Sequence, residues 1–141
     1  MTLSEDEITR FLAARRNAVL GINRTNGPPH LTPVWFLWDG QVFHISSTRA
    51  RQKVVSLGRD RRVSLCIDDA TGFRSVVVQG TAEVVEEDIW EMTQELLERY
   101  LDKPFIPKLM ARLRTEPRVL LRVHPEKWLS WDITERVMVT R

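Results

Sequence analysis

The chain has 141 residues, of which 43% are hydrophobic and 28% charged, and its formal net charge is +2. This length and composition predict one globular domain over residues 1–141 with a sizeable core. No apolar run is long enough to span a bilayer, and the acidic start of the chain lacks the features of a signal peptide. We therefore expect a cytoplasmic protein without membrane contacts.

The basic residues are concentrated in one segment. Residues 49–62 contain six basic side chains and one acidic one, Asp60, whereas the rest of the chain is net acidic. Local rather than general positive charge favours a small anionic ligand over a nucleic-acid-coating surface.

The first part of the chain predicts a helix followed by hairpin-connected strands. Ser4 and Glu7 form a capping-box pattern, and Asn26-Gly27 and Asp39-Gly40 are tight-turn signals. Pro33 cannot donate to a strand ladder, so we expect an edge strand or a bulge there. The predicted elements are a helix over 5–15 and strands over 17–23, 30–38 and 41–46.

The segment that follows carries hydroxyl groups and cations together. Ser46, Ser47 and Thr48 are typical N-cap residues, which predicts that a helix starts here and ends at Gly58. The cations at 49, 51 and 53 would then lie in its first turns, where the helix dipole disfavours positive charge. Such an arrangement indicates a site for an anion, of which phosphate is the obvious example.

The second part predicts more strands and two helices. Cys66, the only cysteine, falls in a strand and is expected to be a buried structural thiol. Gly80 interrupts a long strand and indicates a bulge, or a close approach by another backbone or a ligand. A turn is expected at 124–126. The predicted elements are strands over 63–67, 73–85, 118–123 and 127–133, helices over 86–101 and 106–113, and a tail over 137–140.

Hairpin connections imply antiparallel pairing. Six or seven strands joined in this way, with one helix at the start and a long one late, predict a small antiparallel barrel with helices packed against its openings.

The sequence lacks the familiar motifs of protein-borne catalysis. Its three histidines are scattered over separate strands, and no nucleophile elbow, P-loop or dinucleotide-binding glycine motif occurs. We therefore expect no metal site and no catalytic side chain, and we expect activity to depend on a bound organic cofactor.

The order and spacing of several motifs resemble the pyridoxamine 5′-phosphate oxidase-like superfamily of FMN-binding split barrels, in its short flavin- or deazaflavin-dependent oxidoreductase branch. The resemblance covers about residues 5–140. It implies a mainly β fold with helices, a six-stranded antiparallel split β-barrel of Greek-key type. It also implies a homodimer with two cofactor sites at the subunit interface. The motifs are Pro33-Val34-Trp35-Phe36, Asp39-Gly40, Ser46-Ser47-Thr48 with Arg51 and Lys53, Leu57, Arg59-Asp60, Arg62 to Leu65, and Val78 to Ala82.

The resemblance also implies roles for individual residues. Arg51 and Lys53 would hold the cofactor phosphate, helped by Ser47 and Thr48. The remaining implied contacts are with the ring or the dimer seam: Pro33, Val34, Trp35 and Ser46 at the ring, Gln79 and Gly80 at the ring or the seam, and Trp128 reaching the partner's cofactor.

The cofactor implied by the resemblance is FMN or the deazaflavin coenzyme F420. The basic residues Arg59, Arg61 and Arg62 suit the acidic tail of F420, which we favour, although they equally fit a solvated turn. The expected reaction is hydride transfer between the cofactor ring and an unsaturated small organic substrate. Two alternatives remain, a flavin- or haem-binding module without turnover and a barrel that binds nucleic acid, although no nucleic-acid partner is expected.

Overall fold

The computed structural model of the protein describes residues 2–138. The helices are α1 (Glu5–Ala13), α2 (Gln52–Leu57), α3 (Trp90–Tyr100), α4 (Ile106–Leu113) and α5 (Thr134–Met138), with a 3-10 turn at Lys103–Phe105. The strands are β1 (Asn17–Ile22), β2 (His30–Trp35), β3 (Leu37–Trp38), β4 (Phe43–Thr48), β5 (Arg62–Asp68), β6 (Arg74–Val85) and β7 (Arg118–Asp132).

All seven strands of the described residues form one antiparallel sheet in the order β2-β1-β5-β6-β7-β4-β3. The two end strands of this order, β2 and β3, are separated in the chain by Phe36 alone. The sheet must therefore curl until its ends approach each other, which gives a split barrel and confirms the predicted fold class. The sheet has seven strands, one more than the six that the resemblance implies. Phe36 divides the strand expected over 30–38, whereas the strands expected over 118–123 and 127–133 form the single strand β7.

Alternation along the strands separates the barrel interior from its outside. On β5, Val63, Leu65 and Ile67 are buried while the residues between them are exposed. The interior is filled by aliphatic side chains from all the long strands together with Phe36 and Phe43. A second apolar cluster lies outside the barrel, where Leu120 of β7 packs with residues of α3 and the segment just before it.

Tyr100 joins α3 to the break between β2 and β3. The Phe36 N–H donates to the Tyr100 hydroxyl over 3.1 Å, and that hydroxyl in turn lies within donating distance of the Arg16 and Phe36 carbonyls. The indole of Trp35 stacks parallel on the Tyr100 ring, with 4.7 Å between centroids. Helix α3 therefore fixes the residue at which the sheet turns back on itself.

Gly80 marks a bulge, as predicted. The β6–β7 register shifts between Gln79 and Gly80, and a Cβ on Gly80 would come within 2.0 Å of the His124 carbonyl oxygen. The close approach is thus made by the backbone of β7. The turn expected at 124–126 is wrong, because β7 runs without interruption from Arg118 to Asp132. Pro125 is tolerated in this strand because it faces the bulge, where the ladder is already interrupted.

Other local predictions also need correction. Cys66 is exposed, because the alternation that buries Leu65 and Ile67 turns its side chain outward. The helix expected over 5–15 ends at Ala13, and the one expected over 86–101 starts only at Trp90. The predicted tail over 137–140 begins within helix α5, and its last two residues lie outside the described part of the chain.

Pro33 lies on β2, an edge strand of the sheet, as its missing N–H predicted. Within residues 2–138, no helix has the length and apolar character needed to cross a membrane.

Candidate functional site

The hydroxyl-rich segment does not cap a helix. Ser46, Ser47 and Thr48 are the last residues of β4, and Arg51 occupies the N-cap position of α2 without a side-chain cap. The prediction of an N-cap at 46–48 is therefore wrong, since pairing with β7 holds these residues in the sheet. Helix α2 spans only six residues, so the case for an anion has to come from side chains.

A cleft of about 340 Å³ opens between the sheet and the helices. Its volume falls in the range of small-molecule sites. One wall is polar and comes from β4, α2 and β7, and the opposite wall is apolar and comes from α3 and α4. The lining residues are Asn17, Pro33, Val34, Trp35, Ser46, Lys53, Leu96, Leu97, Leu109, Leu113 and Arg118.

Lys53 is the most unusual side chain of this cleft. It is only 9% exposed, yet its ammonium group makes no hydrogen bond or ion pair with any side chain that the structure describes. Burial lowers the pKa of Lys53 below its ordinary value, and the positive charges of Arg51 and Arg118 lower it further. A buried cation surrounded by other cations is an expensive arrangement unless an anion joins it.

Arg118 brings a second cation to the same wall. Its Nη2 donates to Ser46 Oγ over 2.7 Å and its Nη1 donates to Glu116 Oε1 over 3.3 Å. Its Nε is buried and has no partner among the described residues. Burial lowers the pKa of this guanidinium as well, although Glu116 acts in the opposite direction.

The donor set fits a phosphate group. Lys53, Arg118 and the Ser46 hydroxyl can all donate to an anion, and only Glu116 supplies negative charge to Arg118. Ammonium, guanidinium and hydroxyl donors are the usual partners of phosphate in proteins. The apolar wall of leucines offers no hydrogen bonds, so it suits the carbon skeleton of a ligand whose anionic end lies at Lys53.

The structure brings together five of the predicted site residues in this cleft, namely Pro33, Val34, Trp35, Ser46 and Lys53. The others lie elsewhere within the chain. Ser47 faces the barrel interior, because alternation sends its side chain to the other side of β4 from Ser46, and its hydroxyl is buried without a described partner. Thr48 is opposite Arg118 in the β4–β7 pair, and Arg51 is exposed near Lys53.

The residues expected near the ring or the dimer seam are farther along the sheet. Gln79 and Gly80 line a separate depression that also contains Arg62. Trp128 packs edge-on against Trp38, with centroids 5.4 Å apart. Only a second subunit could bring these three residues to the cleft, so their predicted roles stay predictions.

Sequence reasoning missed Arg118 and the leucine wall. Arg118 lies 72 positions from Ser46, so no local spacing links the two residues. Only the strand pairing could have located Arg118, because β7 runs antiparallel to β4 and its first residue therefore lies beside the end of β4. Among the described residues, no group of three His, Cys, Asp or Glu side chains is placed to hold a metal ion.

Comparison with known proteins places the chain in a family. The family model described as pyridoxamine 5′-phosphate oxidase matches residues 4–132. Because this match spans nearly the whole chain, the protein belongs to the pyridoxamine 5′-phosphate oxidase family. None of the curated proteins compared with it gives a match.

Several solved structures share the fold over most of the chain. The conserved hypothetical protein Rv2991 of Mycobacterium tuberculosis is 30% identical with a TM-score of 0.81, covering 100% of this chain and 92% of its own. A protein named F420 reductase is 26% identical with a TM-score of 0.70, and the match covers 85% of this chain and 94% of that protein. An FAD-binding protein of Mesorhizobium loti is 25% identical with a TM-score of 0.68, and the match covers 92% of this chain and 95% of that protein. The fold is thus one that flavin-related proteins use.

Proposed function

We propose that this protein is an oxidoreductase that binds FMN or coenzyme F420 and transfers a hydride between the cofactor ring and an unsaturated small organic substrate. The observation that carries the proposal is the largely buried Lys53, which has no described anionic partner, beside Arg118 on the polar wall of a cleft whose other wall is made of leucines. Both cofactors have a phosphate next to a flat ring, and the ring supplies the hydride chemistry when bound.

The chain's own residues would bind and orient the cofactor rather than take part in proton transfer. Lys53 and Arg118 would neutralise the phosphate, and the β2 backbone at 33–35 would lie along the ring. The leucines of α3 and α4 would keep water from the same space. No described side chain of the cleft is a carboxylic acid, histidine or cysteine, so the substrate proton would come from solvent.

We favour F420 over FMN. The similarity to a protein named F420 reductase supports this choice, as does the basic segment 49–62. Within this basic segment, Arg62 is not free to bind an acidic tail, because its guanidinium already donates two hydrogen bonds of 3.0 and 2.9 Å to Asp60. Arg59 and Arg61 make no ion pair with a described carboxylate and remain available to an acidic tail.

A homodimer is the second part of the proposal. On the outer face of the sheet, paired strands place Val19, Cys66, Val77 and Leu129 side by side in one row. Val19 is 39% and Leu129 41% exposed. A contiguous apolar row on a sheet face fits an interface with a flat, similarly apolar surface, and a second copy provides one. This face also carries Gln79, which the dimer would bring toward the partner's cleft.

The test of the function is a side-by-side titration of the purified protein with FMN and F420, followed by a turnover assay. We expect retention of one cofactor after desalting at micromolar concentration, and oxidation of its reduced form by members of a panel of enones, quinones and tetrapyrroles. Binding without turnover by any of these substrates would favour the storage or sensing alternative. Failure to retain either cofactor, with salt-sensitive binding of nucleic acid instead, would overturn the proposal.

A further inference from the structure

We infer that Arg118 is a phosphate-holding residue of this site, acting together with Lys53 and through the hydroxyl of Ser46. The inference rests on the proposed function and assigns the phosphate to a set of residues different from the one expected from the sequence. That set comprises one side chain each from β4, α2 and β7.

The hydrogen bond between Arg118 and Ser46 has a defined direction. A guanidinium is only a donor, so Ser46 Oγ must be the acceptor of the 2.7 Å contact. The hydroxyl hydrogen of Ser46 is then free, and no described residue accepts it. Arg118 therefore orients a hydroxyl so that its hydrogen is offered to an anion in the cleft that Ser46 lines.

The hydrogen-bond donors of this site greatly outnumber the acceptors among the described residues. Arg118 Nε is buried without a partner, and Lys53 has three N–H bonds and no described acceptor. Among the described residues, the only carboxylate in contact with this group is that of Glu116, which is 34% exposed and meets Arg118 at 3.3 Å. An ion pair needed only to hold the fold would not leave the buried Arg118 Nε without a partner among the described residues.

Arg122 lies on the same strand as Arg118 but has different surroundings. Arg122 pairs at 3.6 Å with Glu83 and does not line the cleft. Arg118 and Arg122 thus have equal charge, similar backbone positions and different surroundings. This makes Arg122→Gln a matched control for Arg118→Gln.

The experiment compares a ligand that has the phosphate with one that lacks it. The affinities of FMN and riboflavin are measured by flavin fluorescence for the wild type, Arg118→Gln and Arg122→Gln. We expect Arg118→Gln to weaken FMN binding by about 10- to 100-fold, the range for a charged hydrogen bond, and to leave riboflavin binding within about 3-fold. Arg122→Gln should change neither affinity.

Two further variants separate the hydroxyl from the charge. Ser46→Ala should weaken FMN binding less than Arg118→Gln does, while leaving riboflavin binding unchanged. Arg118→Lys should recover part of the affinity, because it keeps the charge but loses the planar fork. Equal losses for FMN and riboflavin in Arg118→Gln, or no loss for either, would overturn the inference.

A flavin-independent arm distinguishes failure of the inference from failure of the proposed function. Inorganic phosphate should raise the unfolding temperature of the wild type and of Arg122→Gln, but not that of Arg118→Gln. If no flavin binds and this difference is still seen, the anion site stands and the proposed oxidoreductase function fails. If phosphate stabilises all three proteins equally, the assignment of Arg118 fails.

Discussion

Lys53 is a cation that the folded chain buries without giving it a described anion. The sequence singled out this residue by its place at the start of an expected helix, whereas the structure has a six-residue helix whose N-cap residue is Arg51. Local patterns identify which residues are basic, whereas burial depends on how α2 packs on the sheet. Arg118 could not be found locally at all, because only the β4–β7 pairing brings it to Ser46.

The apo protein should become more stable as the pH rises toward the ordinary lysine pKa. Burial, followed by Arg51 and Arg118, lowers the pKa of Lys53 below its ordinary value of 10.5. Between these two pKa values the unfolded chain binds more protons than the native one, so the free energy of unfolding increases with pH. Denaturant unfolding of the wild type and of Lys53→Met over this range measures the effect, and the variant should lack this part of the increase.

Lys108→Met is the matched control for this experiment, because Lys108 is exposed on α4. It should follow the wild-type pH profile. In the neutral range Lys53→Met should be at least as stable as the wild type, yet it should bind FMN less tightly by about 1.5–3 kcal/mol. Equal pH profiles for the wild type and Lys53→Met would show that the ammonium group is not desolvated in solution.

The strands and helices illustrate where local signals succeed. The positive φ of Gly27 and Gly40, the edge position of Pro33 and the bulge at Gly80 follow from backbone chemistry that is local to a few residues. The continuation of β7 through Pro125 does not, because the turn signal at 124–126 is overridden by pairing with a strand more than forty residues earlier. The exposure of Cys66 was available from strand alternation, which outranks the general preference of cysteine for the interior.

Gly80→Ala should be strongly destabilising. The added Cβ would collide with the backbone of His124 and Pro125, which cannot rotate away as a side chain can. We expect a loss of about 1–3 kcal/mol or more in the free energy of unfolding, as in other overpacked sites. Denaturant titration measures this loss, and Gly21→Ala provides the control.

The control is informative because Gly21 also lies in the sheet, but its added Cβ would meet mainly the flexible end of Leu31 at 3.2 Å. Gly21→Ala should therefore cost little. Similar losses for the two variants would mean that glycine flexibility, rather than the approach of β7, determines the effect.

Tyr100→Phe should loosen the connection between α3 and the barrel. Removing the hydroxyl leaves the buried N–H of Phe36 without its 3.1 Å acceptor, which should cost about 1–3 kcal/mol of stability. Thr93→Val removes a buried hydroxyl from the same helix, but the Ile89 carbonyl that it contacts still accepts the Thr93 N–H. Thermal unfolding should therefore separate the two variants, and a larger loss for Thr93→Val would contradict this interpretation.

The whole molecule presents a row of apolar side chains across one face of its sheet. The row of Val19, Cys66, Val77 and Leu129 crosses four adjacent strands, so it arises from the register of the sheet and not from any one segment. No single strand shows it in the sequence, which is why the predicted dimer came from family resemblance and not from the residues themselves.

Leu129→Lys should convert the proposed dimer to a monomer without unfolding it. A charge placed within an apolar interface would have to be buried without a partner. Sedimentation velocity measures the change in mass, and far-ultraviolet circular dichroism checks the fold. Phe105→Lys is the control, because Phe105 is 64% exposed on the 3-10 turn and lies off this face. A wild type that sediments as a monomer would remove the interface from the proposal.

The proposed anion site joins Ser46 and Lys53 to Arg118, which is 72 positions from Ser46 in the chain, and this has a kinetic consequence. Ser46, Lys53 and Arg118 can act together only after β4 has paired with β7, an event that closes a loop of about seventy residues. A phosphate-bearing ligand would therefore recognise the native chain but none of its earlier folding stages. Saturating ligand is accordingly expected to slow unfolding and to leave the rate of refolding nearly unchanged.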